Sequence, residues 1–241
     1  MNENLRLERC QSYLSTQIKT GARPSATPQK RFRAVTLSRE AGSGANVVAR
    51  HLVELLDEAD RKAPRPWTIF DRNLIEKVLE DHQLPARLHK FFPEDRLTEL
   101  QDIMDEVFGL RPASWTLVQQ TTETMLQLAA LGNVVLIGRG SSIVTRKLPD
   151  VLHVRLVGSL EARVRRLAEN RGMTRKSALD FIQQHDLGRR RFVKKYFGED
   201  VANSQLYHLV INTDLVPTEA VAEMLAQIVL KGFGNGADSR H

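Results

Sequence analysis

Cysteine is almost missing from this chain: Cys10 is the only one in 241 residues. That excludes an internal disulfide and any multi-cysteine zinc site, and it suits a reducing cytoplasm. Long apolar runs are missing as well. No stretch approaches the roughly 18 to 20 apolar residues that cross a bilayer, and Met1 to Thr20 is charged throughout, without the apolar run of a secretion signal. The expectation is a soluble, intracellular protein with no membrane partner. Aromatic residues make up only 6% of the chain and interleave little with its basic residues.

What is present centres on the stretch from Arg33 to Val48. It reads as a short β-branched strand, Ala34 to Leu37, then a tight turn holding Gly42 and Gly44. A helix follows, with Val47, Val48, His51, Leu52, Leu55 and Leu56 at helical spacing. The two glycines lack a β-carbon, so the backbone can offer its N–H groups at close range, and the helix N-terminus adds partial positive charge. One further absence matters here. A full phosphate loop follows its last glycine with Lys, for the β- and γ-phosphates, and then Ser or Thr, for Mg²⁺. This chain has Ala45, Asn46 and Val47 in those places. Taken alone, the stretch suits either phosphate binding or a structural strand-to-helix turn.

Thirty-five Lys and Arg oppose 29 Asp and Glu, a net charge of +6. Arginine concentrates between Arg155 and Arg191 on two predicted helices. Such clustering suits a compact polyanion such as a nucleotide at least as well as a nucleic-acid backbone, so nucleic acid ranks last among the partners.

Residues 1 to 32 read as a mobile arm, with one short helix, Leu5 to Gln17, and a Pro- and Gly-containing linker. Trp67 to Phe70 is a second strand ending at Asp71. That carboxylate either lies on the ligand edge of an α/β sheet or caps a helix over Asn73 to Glu80. Residues 81 to 113 interrupt the alternation with turns and an amphipathic helix, Arg96 to Phe108. Its Leu97, Leu100, Ile103, Met104 and Val107 share a face suited to the core, to a dimer surface or to a mobile cover over a substrate.

A helix from Ser114 to Leu131 leads to the apolar strand Val134 to Ile137 and to Gly138-Arg139-Gly140. A strand over Val151 to Val157 precedes a helix over Leu160 to Asn170, capped by Ser159 and closed by Gly172. A second arginine-bearing helix runs from Thr174 towards Tyr196. Tyr207 to Ile211 is the fifth strand, Thr218 to Leu230 the closing helix, and residues 231 to 241 a disordered tail. Five strands alternating with helices predict an α/β fold, a five-stranded parallel sheet flanked by helices, over residues 33 to 230. The glycine loop, Asp71 and Arg139 fall at C-terminal strand ends and can converge on one crevice.

The order of these motifs resembles the cytidylate kinases, and more closely the cytidylate kinase-like family of P-loop proteins, over roughly Arg33 to Leu230. Ala41-Gly42-Ser43-Gly44 matches their loop up to its lysine. Gly138-Arg139-Gly140 stands for Gly-Arg-Asp, and Pro149-Asp150 precedes a strand as theirs does. Ser159-Leu160-Glu161-Ala162-Arg163 matches Ser-x-Glu-x-Arg, and Asp186-Leu187-Gly188-Arg189 matches Asp-x-x-Arg.

The resemblance implies a P-loop kinase-like three-layer sandwich that uses ATP and Mg²⁺ and phosphorylates a nucleoside monophosphate, CMP or dCMP favoured. In that scheme Gly42, Ser43, Gly44, Ala45 and Asn46 hold the donor phosphates. Asp71, Arg139, Asp186 and Arg189 hold the acceptor, and Arg163 and Arg166 close over the transferring group. Ala45, Asn46, Gly140 and Ile182 depart from the pattern; Ile182 stands where an arginine is usual. Arg39 is expected to return a cationic side chain over the phosphates, and Glu40 or Asp71 to help hold Mg²⁺. A nucleotide-binding sensor without efficient turnover is the competing expectation.

Overall fold

The β-branched and apolar segments pair side by side, and the connections between them set the layers. In a computed structural model, which describes residues 12–13, 32–59, 66–71, 94–108, 116–138 and 140–233, the strands are β1 (Ala34–Arg39), β2 (Thr68–Asp71), β3 (Val134–Ile137), β4 (Val151–Val157) and β5 (Leu209–Asn212). The helices are α1 (Ala45–Ala59), α2 (Glu94–Phe108), α3 (Thr116–Leu131), α4 (Ser141–Val144), α5 (Leu160–Arg171), α6 (Arg175–Phe197) and α7 (Thr218–Lys231). All four strand pairings are parallel, in the order β2-β3-β1-β4-β5. The five-stranded parallel sheet expected from the alternation is therefore what forms.

A parallel sheet needs both faces covered, and the uninterrupted apolar run of β3 is buried throughout. On one face Val35, Leu37, Val135, Ile137 and Val154 pack against Val48, Leu52 and Leu56 of α1 and Val221 and Leu225 of α7. On the other, Ala34, Val134, Leu136 and Val151 meet Leu100 and Ile103 of α2, Met125 and Leu128 of α3 and Val144 of α4. Of the three uses open to the α2 stripe, Leu100 and Ile103 serve the core. The expected helix over Asn73 to Glu80, and the rest of 81 to 113, lie outside the described residues. Tyr13, inside the stretch read as an arm, is fully buried; its hydroxyl donates to the Gly132 carbonyl at 2.6 Å and its ring meets Phe70 edge-on.

The arginine-bearing helices α5 and α6 start and stop where the caps predict. Ser159 Oγ accepts the Ala162 N–H and Thr174 Oγ1 the Ser177 N–H, and Gly172 closes α5. Val164 and Leu167 of α5 join Ala178 and Ile182 of α6 around Ala41 in a third apolar cluster. That cluster fastens the pair to the turn after β1.

The face that carries Ala34 and Val151 also carries buried polar groups. His153 Nδ1 and Thr36 Oγ1 are 2.9 Å apart, the His153 N–H donates to His208 Nδ1 at 2.9 Å, and the two rings stack at 5.0 Å. Burial, with His208 beside it, pushes the His153 pKa from 6.5 down to about 3. The unfolded chain thus binds a proton that the native state refuses between those values. Stability is complete above pH 6.5 and falls by about 1.4 kcal/mol per pH unit for this one group as the pH drops towards 3. Urea unfolding at pH 7 and pH 5 should show a loss of about 2 kcal/mol from this site, and His153→Asn should lose correspondingly less over the same interval.

Candidate active site

β1 runs directly into Glu40-Ala41-Gly42-Ser43-Gly44, and α1 begins at Ala45. The Ser43 N–H and hydroxyl both donate to the Glu40 carbonyl, at 3.2 and 2.8 Å, which closes the turn. Gly42 adopts φ 81°, and a β-carbon there would sit 2.7 Å from the Arg163 carbonyl. Only glycine admits α5 at that distance.

The carbonyl edge of the loop is occupied. Arg163 Nη1 donates to the Ala41 carbonyl at 3.1 Å and Arg166 Nη1 to the Gly42 carbonyl at 2.8 Å. The Ala41 carbonyl and the Gly42 N–H share one trans peptide and point opposite ways, so Arg163 on that carbonyl leaves the Gly42 N–H facing away from it. Among the described residues, the N–H groups of Gly42, Gly44, Ala45 and Asn46 make no hydrogen bond. Open amides at the start of a fifteen-residue helix are available to an anion.

A chain of charges surrounds the loop. Asp186 Oδ1 accepts from the Ala41 N–H at 2.8 Å and from Arg189 at 2.9 Å, and its Oδ2 accepts from Arg163 at 2.7 Å. Glu40 Oε2 accepts the Gly158 N–H at 3.1 Å and lies 3.4 Å from Arg163 Nε, which itself donates to the Gly158 carbonyl. Arg166 reaches on to the Thr213 carbonyl at 3.1 Å. Burial pulls the Arg189 pKa down; Asp186 opposes that, and the nearby Arg155 and Arg163 add to it.

Asp186, Arg163, Arg166, Arg189 and Glu40 thus converge on the loop. Arg39 leaves the end of β1 and lays its guanidinium against Gly138 at the end of β3, its Cζ 3.0 Å from where a β-carbon would stand. Asp71 ends β2, in register with Ile137. Arg139 lies outside the described residues. Gly140 has φ 74°, and Phe197 Cδ2 would be 2.9 Å from any β-carbon there, so the α6 ring fills the space where the resemblance has an aspartate. Ile182 is buried among Ala41, Val164 and Leu167 and offers no cation. The residue that the motifs missed is Arg155, buried on β4; its one sequence signal is a charge inside the apolar run Val151 to Val157.

No group of three or more His, Cys, Asp or Glu side chains among the described residues is arranged to hold a metal ion, and no described helix is long and apolar enough to cross a membrane.

A parallel sheet with a glycine loop between its first strand and helix, and a basic helical pair folded over that loop, defines a P-loop kinase-like protein. Residues 34–215 match the model of the cytidylate kinase-like family, and the chain belongs to that family. It is 33% identical over 106 residues to a cytidylate kinase of Ignicoccus hospitalis, a match covering 44% of this chain and 61%, less than two thirds, of that one. It is 29% identical over 182 residues to a cytidylate kinase of Pyrobaculum calidifontis, covering 74% of this chain and 83% of the relative. An uncharacterized protein from Eubacterium ventriosum shares the fold, with a TM-score of 0.62 at 18% identity over 81% of this chain and 97% of its own.

Replacing Asp186 by Asn keeps the side-chain shape but leaves Arg163, 9% exposed, with half its ionic compensation. Unfolding in urea should show a loss of about 3 kcal/mol, the lower end for one partner removed from a buried pair, because Asp186 is itself partly exposed.

Proposed function

We propose that the protein transfers the γ-phosphate of ATP to a nucleoside monophosphate, with CMP or dCMP the favoured acceptor. The observation that carries this reading is the loop itself: among the described residues the N–H groups of Gly42, Gly44, Ala45 and Asn46 make no hydrogen bond, while Arg163 and Arg166 are bonded to the Ala41 and Gly42 carbonyls. Phosphoryl transfer asks the protein mainly to position two nucleotides and to stabilise developing charge. The amides of Gly42, Gly44, Ala45 and Asn46, with Ser43 shaping the turn, hold the donor phosphates. Asp71, Arg139, Asp186 and Arg189 hold the acceptor.

The charge that a loop lysine would supply comes from other elements. Arg163 and Arg166 bring it from α5, and Arg39 brings it from the end of β1. Mg²⁺ taken up with ATP would neutralise phosphate charge. Glu40, whose Oε2 accepts the Gly158 N–H and lies 3.4 Å from Arg163, or Asp71 would help hold it, directly or through water. A nucleotide binder without turnover is the second reading, favoured by Ala45 and Asn46 in place of the lysine and hydroxyl of a full phosphate loop.

Incubation with Mg·ATP and a panel of nucleoside monophosphates should yield the diphosphate, fastest with CMP or dCMP. ADP formation that no monophosphate accelerates, together with tight ATP binding, would select the second reading. In calorimetric titrations with Mg·ATP, Arg39→Ala should lose about tenfold or more in affinity, the worth of one charge-assisted phosphate contact, and Ala45→Lys should gain.

A further inference from the structure

Arg155 is a buried cation whose tether is neutral. Its side chain stands on β4 opposite Ser38 in the β1–β4 register and is 8% exposed. Among the described residues its guanidinium makes one hydrogen bond, from Nη1 to Ser38 Oγ at 3.1 Å, and its one carboxylate neighbour, Glu40, is 4.0 Å away. Tyr207 lies beneath it, with Cζ 5.8 Å from the ring centre.

The hydroxyls hold this geometry in one direction only. Tyr207 Oη is 2.9 Å from the Val201 carbonyl, which can only accept, so the single phenolic proton goes there. Ser38, 3.1 Å from Tyr207 Oη, therefore donates to it, and Arg155 in turn donates to Ser38. The relay orients the guanidinium without cancelling its charge.

The neighbouring ions do not cancel it either. Arg155 and Arg163 both border Glu40, and Arg163 and Arg189 share Asp186. Three guanidiniums thus face two carboxylates in a largely buried chain at the ligand edge of the sheet. Such a surplus is costly unless an anion completes it. Burial is the main cause of the lowered pKa of Arg189, and the charge of Arg155 adds to it.

We propose that Arg155 is a further ligand-binding residue of this cleft, taking the phosphate of the acceptor nucleoside monophosphate alongside Arg189, with Ser38 and Tyr207 as the residues that position it. This rests on the reading of the cleft as a nucleotide-kinase site. The ligand class is a phosphomonoester; the base and sugar contribute nothing to this contact. Arg155 therefore sets the difference in affinity between a monophosphate and its nucleoside, and leaves the donor untouched.

The test is calorimetric titration of CMP, UMP, AMP and GMP, the matching nucleosides, and Mg·ATP into the full-length wild type, Arg155→Met, Arg155→Lys and Tyr207→Phe. Wild type should prefer a monophosphate to its nucleoside. Arg155→Met should lose about tenfold or more of that preference, Arg155→Lys should retain part of it, and Mg·ATP affinity should not change. Tyr207→Phe removes only one hydroxyl and carries the test if Arg155→Met does not fold; it should weaken the monophosphate several-fold, again without changing Mg·ATP. A wild type that binds a monophosphate, with that preference unchanged in the folded variants, overturns the role of Arg155 alone. A wild type that binds Mg·ATP but none of the four monophosphates overturns both this proposal and the kinase reading beneath it.

Discussion

The Asp186 carboxylate joins three parts of the molecule. One oxygen accepts the Ala41 N–H at the mouth of the glycine loop and the Arg189 guanidinium from its own helix; the other accepts Arg163 from α5. Two of these three partners are cations, Arg163 buried and Arg189 half-buried, where an uncompensated charge is costly, so the carboxylate favours the seating of α5 and α6 on the loop. The small apolar cluster around Ala41 and Ile182 holds the same contact from below. Loop geometry, guanidinium placement and helix packing are therefore one coupled arrangement, and a change at Asp186 is felt at all three.

On the proposed reading, this coupling changes how a phosphate loop meets its electrostatic requirement. A loop lysine sits at the start of the helix that follows the glycines and is fixed to the loop by sequence. In this chain α1 begins with Ala45 and Asn46, and the guanidiniums beside the loop come from α5, more than a hundred residues later. Positive charge at the loop thus depends on a separate helical pair being in place. The same arrangement accounts for Gly42, since the approach of the Arg163 backbone leaves no room for a side chain.

Much of the fold was legible because it is written locally. The apolar run of β3 announced a central parallel strand, and Ser159, Gly172 and Thr174 marked the ends of the arginine-bearing helices by side-chain and backbone capping that needs no distant partner. What stayed hidden depends on contacts between distant residues. Glu40 reads as a metal candidate beside the loop, and the contacts of its Oε2 with Gly158 and Arg163, over a hundred positions away, are not written in the motif. Gly140 reads as a lost aspartate, and only the Phe197 ring explains why no side chain fits there. Tyr13 sits in a stretch with linker composition nearby, and its burial under Gly132 and Phe70 has no periodic signature. Arg155 is one charge in a strand, and its value comes from a hydroxyl relay that spacing does not encode.

The central claim is that the unbonded amides of the glycine loop are where phosphate is held, lysine or no lysine. Backbone amide chemical shifts of ¹⁵N-labelled protein, followed during titration with Mg·ATP, test it most directly. The account predicts that the Gly42, Gly44, Ala45 and Asn46 amides shift together and furthest downfield, as N–H groups do on gaining a charged acceptor. Saturable shifts confined to other parts of the chain, with these four amides unmoved, would contradict it.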